Sequence, residues 1–216
     1  TNKTLTAPKI NENVAVTSTA TELNLLDGKA ATNLALVGKT EGTNFTASLL
    51  VGHATTGTLN TASNNTGIGI AALDALTSGD DNTGIGKGSG TSVNSGGRNT
   101  SIGSTSGVKV TTGTGNTSVG FNALNQNISS DYNTALGGYA LSNTTGASNV
   151  GLGYGAGNNI TSGDGNVCVG KGTVASATGD KQLAIADGVD GSVAWLKGDS
   201  SGNVSVPANL NLSGSN

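Results

Sequence analysis

The chain has 216 residues, 36 of them Gly, with aromatic residues at 3%, charged residues at 11% and a formal net charge of −3. Two Phe, three Tyr and one Trp are too few for the bulky core of a compact globule of this size. A charge so near zero, with Val, Ile and Thr recurring at regular places, is not the composition of a disordered chain either. The Lys and Arg residues are scattered, with Arg98 the only Arg, so no basic track for nucleic acid is formed, and no apolar run reaches a membrane-spanning length. No signal peptide is read, and the absence of Met leads us to expect a start inside a longer or processed product. A single cysteine, Cys168, excludes an intrachain disulfide.

Residues 1–47 lack any repeat and read as an N-terminal connector. Within it, Thr21-Glu22-Leu23-Asn24-Leu25-Leu26-Asp27-Gly28 reads as a short helix, capped by Thr19 or Thr21 and ended by Gly28. It is too short to persist alone, and against two copies of itself it would form a three-chain collar.

Residues 48–186 are a repeat array. Asn65-Thr66-Gly67-Ile68-Gly69 recurs 17 residues later at Asn82, and again at Asn99, Asn116 and Asn133. Asn149 follows after 16 residues and Asn166 after 17, and degenerate copies begin at Ser48 and Gln182. Of these nine copies, eight carry Gly at the fifth position, including Gly69, Gly86, Gly103, Gly120 and Gly137. Each coil then continues with a shorter apolar segment, such as Ala72-Leu73 and Leu76, and a Gly-containing turn such as Ser78-Gly79. Seventeen residues accommodate two or three short strands with tight corners but not a helix pair. The fold class predicted is therefore all-β, a parallel β-solenoid or β-roll of about nine 16–17-residue coils with short flanks that lack the repeat.

In such a stack, like residues form columns. Position four (Val51, Ile68, Ile85, Ile102, Val119, Leu136, Leu152, Val169 and Ile185) is the expected continuous core. The Asn column is expected to form an amide ladder, and the Gly column marks a corner with positive φ or a close backbone approach. Strand alternation puts positions one, three and five on the face opposite positions two and four. That small-residue face would suit either the narrow axis of a homotrimer or a tight bend. One coil encloses few large side chains, so three chains sharing a core are the favoured way to stabilise a thin rod.

Residues 187–216 change character and read as a C-terminal β module. Ser192-Val193-Ala194-Trp195-Leu196 and Asn203-Val204-Ser205-Val206 read as strands around the loop Gly198–Gly202, with Pro207 interrupting and Leu210 and Leu212 alternating afterwards.

A resemblance attaches to particular residues. Ala7-Pro8-Lys9-Ile10-Asn11-Glu12-Asn13-Val14-Ala15-Val16, followed by Thr19–Gly28, resembles a segment of phage tail-fibre proteins, notably those of cyanobacterial phages. Coils such as Gly115-Asn116-Thr117-Ser118-Val119-Gly120-Phe121-Asn122-Ala123-Leu124 resemble fibre repeats that often precede an intramolecular chaperone domain. They are also similar to the left-handed β-roll heads of trimeric autotransporter adhesins, whose coils are usually shorter. No chaperone domain is read before Asn216, so it is expected to be absent, removed or outside this chain.

No catalytic, cofactor-binding or metal site is read. His53, the only His, has no marked acid or nucleophile beside it, and one His with one Cys cannot hold zinc within a chain. Cys168 reads as a small residue in a tight column. Asp80, Asp81, Asp131 and Asp164 fall near one corner, but other coils put Gly97, Arg98 or Thr114 there, so a solvated turn outweighs a calcium site. Paired acids for glycan hydrolysis are missing, and the Gly-x-Gly runs lack a βαβ setting. The Thr column from Thr66 to Thr134 raises ice binding, set aside here because its continuation into Val150 and Val167, flanked by Leu49 and Leu183, reads as a buried or half-buried column. The expectation is a structural, non-enzymatic shaft of a viral tail fibre, extracellular on the virion, whose partners are itself as a homotrimer, other tail-fibre or baseplate proteins and a host surface glycan. The alternatives are a bacterial trimeric adhesin stalk or head and, more remotely, a glycan-degrading tailspike.

Overall fold

The computed structural model describes residues 38–42, 45–51 and 59–206. The chain divides into two compact units, Thr1–Leu36 and Val37–Asn216. The described residues all belong to the second, so the helix expected at Thr21–Gly28 and the alternation at Leu210 and Leu212 lie outside them.

This unit is a parallel β-solenoid of about eight turns, and no helix occurs among the described residues. Two strands open it, β1 (Gly38–Gly42) and β2 (Phe45–Val51), paired antiparallel. The two-residue β3 (Ala62–Ser63) pairs with the start of β2. Then come the rung strands β4 (Thr66–Ile68), β5 (Thr83–Ile85), β6 (Thr100–Ile102), β7 (Thr117–Val119), β8 (Thr134–Leu136), β9 (Val150–Leu152), β10 (Val167–Val169) and β11 (Leu183–Ala186). Each lies parallel to the next in the repeat register, Thr66 opposite Thr83 and Ile68 opposite Ile85, and so on up the stack. The strand β12 (Ala194–Gly198) then reverses direction onto β11, and β13 (Val204–Ser205) pairs with β12, so antiparallel strands flank the parallel stack at each end. The C-terminal hairpin forms where the sequence predicts one.

Each corner has a physical reason. The fifth-position glycines from Gly69 to Gly153 sit at φ between 121° and 133°. A Cβ on Gly69 would also lie 2.7 Å from the carbonyl oxygen of Gly86 in the next rung. The column therefore satisfies both expectations at once, a left-handed backbone and a close approach. A second corner has its seventh and ninth positions left-handed, as at Ala71 and Leu73, Asn122 and Leu124, or Tyr139 and Leu141.

The interior differs from the expected one. Ile68, Ile85, Ile102, Val119, Leu136, Leu152, Val169 and Ile185 do not form the core; they face outward, with Ile68 42% and Leu136 45% exposed and the others exposed or half-buried. Positions one and three face inward instead, so the small-residue face lines the inside of the coil rather than a trimer axis. The bulk inside comes from the opposite wall: Leu73, Leu76, Val93, Val110, Leu124, Leu141 and Ile160 are buried, together with Ala72, Ala123, Ala140 and Ala156. Those side chains fill the space in front of each strand, and position three must be small to let them in. A Cβ on Gly84 would lie 2.9 Å from Leu73 Cγ, and one on Gly151 would lie 2.8 Å from Leu141 Cγ. Volume is traded between the ninth position and the third position of the next rung. Leu73 faces Gly84, Leu124 goes with Ala135 and Leu141 faces Gly151, whereas Gly90, Gly107 and Gly157 go with Ser101, Ser118 and Cys168. Close packing of this kind leaves neither void nor clash.

The buried Asn column is a fully used amide ladder. Asn82 donates its backbone N–H (2.9 Å) and its Nδ2 (3.1 Å) to Asn65 Oδ1 in the preceding rung, and Nδ2 again to the turn carbonyl of Gly96 (2.9 Å). Donation to the preceding Asn repeats at Asn99, Asn116, Asn133, Asn149 and Asn166, and Gln182 takes the last place with both donations to Asn166 Oδ1. The amide thus ties the start of each strand to the preceding rung and, at Asn82, Asn99, Asn116, Asn149 and Asn166, to the closing turn of its own coil, whereas Asn133 donates to Asp131 O just before it.

Candidate functional site

The residues that turn outward from the rung strands form one surface. Position two contributes Leu49, Thr66, Thr83, Thr100, Thr117, Thr134, Val150, Val167 and Leu183, and position four contributes Val51 and the Ile, Leu and Val residues already placed outside. None of these side chains carries a charge. At the end of the stack, Leu196 of β12 pairs with Ile185 and prolongs the face. The lateral spacing of two rows of Thr, Val, Ile and Leu side chains, repeated at the strand separation of about 4.8 Å, makes a pleated, mainly apolar strip. Contiguous exposed apolar surface of this kind marks an interaction face.

Charge is placed at the corners. Asp80 Oδ1 accepts from the backbone N–H (2.8 Å) and hydroxyl (2.8 Å) of Ser63, one repeat earlier. Asp131 accepts from Thr114 N–H, Asp164 from Ala147 N–H and Asp180 from Asp164 N–H, so these corner carboxylates clamp successive turns. Asp81 accepts from the Asn64 amide. Among the described residues, no group of three or more His, Cys, Asp or Glu side chains could hold a metal ion.

Cys168 sits inside at position three, where Gly157 leaves room for its sulfur. Burial pushes its thiol up to about 12, which keeps it protonated and unreactive. His53 lies outside the described residues. The Thr column lies on the outward face, half-buried at Thr66, Thr83, Thr100 and Thr117 and exposed at Thr134, so of the buried or half-buried column expected it is the half-buried one, turned outward. The column sits on the same parity as position four, and assigning that parity to the inside is what misplaces both.

A second surface feature is an aromatic group at the corner after the strand. Phe121 and Tyr139 meet edge-to-face at 5.3 Å between ring centroids, and Tyr139 and Tyr154 at 5.7 Å. Reading by column misses it, because Phe121 and Tyr154 occupy position six and Tyr139 position seven. The available signal is the spacing of three of the six aromatic residues, each about one repeat from the next.

No family model, curated protein or solved structure matches this chain.

Proposed function

We propose that the solenoid is a stiff structural spacer in an extracellular fibre, a virion tail-fibre shaft, and that copies associate as a homotrimer through the outward strand face. The carrying observation is that strip: an uncharged double row of Thr, Val, Ile and Leu along the whole parallel ladder, on a chain whose interior is already filled. A chain with a complete core has no internal use for a second apolar face, and burying it stabilises assembly by roughly 25 cal/mol per Å² of apolar surface. Three equivalent strips meeting at an axis would close it, leaving the charged corners in water. The mechanism is reach and rigidity rather than catalysis. A bacterial trimeric adhesin stalk or head would use the same geometry.

The test is native mass spectrometry of the full chain and of Ile102→Lys. Three chains for the parent and a shift to one chain for the variant, with the β spectrum retained, are expected. A parent that stays a monomer at micromolar concentration would sink the reading. A second reading rests on the outward Thr row: ranks of hydroxyls and methyls on a flat strand face could order water as ice does. A monomer that inhibits ice recrystallisation, and loses that activity on Thr100→Lys, would favour it over the fibre.

A further inference from the structure

The corner beside the aromatic group holds a groove of about 200 Å³ lined by Asn122, Asn125, Gln126, Tyr139, Ser142 and Asn143. Its lining is one aromatic ring, four side-chain amides and one hydroxyl, with no charged residue. The amides are held in a relay. Lys109 Nζ donates to Gln126 Oε1 (2.6 Å), Gln126 Nε2 to Asn125 Oδ1 (3.0 Å) and Asn125 Nδ2 to Asn122 Oδ1 (3.0 Å), while the Thr105 hydroxyl also donates to Asn122 Oδ1 (2.6 Å). Their orientation is therefore set before anything binds. Among the described residues, no hydrogen bond uses Asn122 Nδ2, the Ser142 hydroxyl, Asn143 Oδ1 or the Tyr139 hydroxyl, so donors and acceptors are both left over at the groove.

Tyr139 itself is costly to keep. Its φ is 58°, at a seventh position that is left-handed in each rung from the one beginning at Asn65 to the one beginning at Asn149 and is filled elsewhere by Gly88 (φ 66°) and Gly155 (φ 67°) or by the smaller Ala71, Thr105 and Asn122. A bulky residue in the left-handed region is an outlier that persists where something else requires it. Its ring lies at the surface, edge-to-face with Phe121 and Tyr154, which are themselves 49% and 59% exposed, so the group is not part of the core.

We propose that this groove is a binding site for one ring of a neutral carbohydrate chain. Tyr139 would stack against the apolar C–H face of the sugar, and the fixed amides and Ser142 would bond its hydroxyls. An aromatic platform with a few preoriented uncharged polar groups provides both surfaces that a pyranose presents. The nearby cations are already engaged: Lys109 by Gln126, and Lys171, whose Nζ lies 6.0 Å from the Tyr154 ring centroid. With no cation among the lining residues to pair with a carboxylate, the groove is matched to an uncharged sugar. The site would serve a shaft or an adhesin head alike and does not rest on the trimer.

The experiment titrates the full chain with chitohexaose, maltohexaose, cellohexaose and mannohexaose by calorimetry and saturation-transfer NMR. At least one is expected to bind with a Kd on the order of 0.1–1 mM. Tyr139→Gly, which installs the residue that the next rung carries as Gly155, is expected to weaken binding at least about tenfold with the thermal midpoint unchanged or raised. Tyr132→Gly, at a left-handed position of the other corner, is expected to leave binding intact. No saturable binding to any of the four sugars up to about 10 mM overturns the site, as does a Tyr139→Gly variant that binds like the parent. A Tyr139→Gly variant with altered assembly mass and no sugar binding in the parent also overturns it, by showing that another copy covers the ring. Three chains without sugar binding would sink the site and keep the shaft; a sugar-binding monomer would do the reverse.

Discussion

The rungs from Asn65 to Ala186 and the hairpin that follows them are both β structure, yet they are held by opposite kinds of contact. In the rungs the characteristic bonds span one repeat, as in Thr83 N–H to Asn99 O, Leu73 N–H to Ser89 O and Asn82 Nδ2 to Asn65 Oδ1. In the hairpin they are local. Asp187 accepts from the N–H groups of Val189, Asp190, Gly191 and Val193, and Asp199 from those of Ser201 and Asn203. A rung strand has no partner except its neighbours, so stability in the array is a nearest-neighbour property. The hairpin is joined to the array through the β11–β12 ladder, and its own turns depend on a few carboxylates and on charge. Damage in the array should therefore spread along the stack, whereas damage to the hairpin should stay where it is made.

The largest expected effect is Gly103→Ala. The new methyl would have to tolerate φ of 121° and a contact of 2.8 Å with the backbone of Gly120. We expect a loss of at least about 4 kcal/mol in urea unfolding, with the single transition splitting in two as the array is cut. A loss below about 1 kcal/mol would show that rungs slide apart freely, against the close-packed stack described above. Next is Asn116→Ala, which removes donations to Asn99 Oδ1 and Ser130 O and deprives Asn133 N–H of its acceptor. Each stranded buried group costs about 1–3 kcal/mol, so a loss of about 2–4 kcal/mol is expected. Hydrogen exchange should rise in the rungs on either side and stay unchanged in the hairpin.

These two columns are also the part of the molecule most legible in the sequence. Asn and Gly each answer a demand of the backbone loop, an amide that bonds in both directions and a corner that excludes a Cβ, and such demands recur at every rung whatever else varies. Side-chain parity was not legible. Alternation shows that Thr66 and Ile68 share a face but not which side that face is on, and the larger residues were assigned inside by default. What decides it is the opposite wall, where Leu73, Leu124 and Leu141 already fill the interior. The groove at Tyr139 was hidden for a related reason. Its residues come from the same three positions, seven, ten and eleven, of two successive rungs, but residue types there change from rung to rung, so no column of like residues marks them and they meet only once the coils are stacked.

Volume trading across the coil is the sharper test of that opposite wall. Gly84→Ala should cost about 1–3 kcal/mol by pressing on Leu73. Leu73→Ala alone should cost about 2–5 kcal/mol by leaving a cavity. The double variant should be better than the sum by about 1 kcal/mol or more, because the new methyl partly fills the space. Strict additivity in this cycle would mean that the two positions do not share a volume, and the account of why position three stays small would fall.

The smallest effect separates the hairpin from the rungs by pH. Asp187 is held well below the usual carboxylate range, chiefly by the Val193 N–H and then by that of Asp190. Asp190 is lowered first by the Ser192 side chain, and Asp199 first by the Asn203 side chain. A carboxyl whose folded pKa lies below its unfolded value contributes stability that is full above the unfolded value, near pH 4, and is lost as pH falls through the folded one. All three side chains are solvent-screened, so the contribution is modest and salt-dependent. Trp195, the only Trp and a residue of β12, reports on this element alone. Its fluorescence should change as pH falls below about 4, while the β spectrum of the rungs persists. In Asp187→Asn the neutral amide keeps an acceptor but loses the charge-assisted bonds, so Trp195 should look partly released at neutral pH and respond less to acid. Simultaneous loss of both signals on acidification would mean that hairpin and rungs unfold as one unit, and that the local carboxylate turns do not set the hairpin apart.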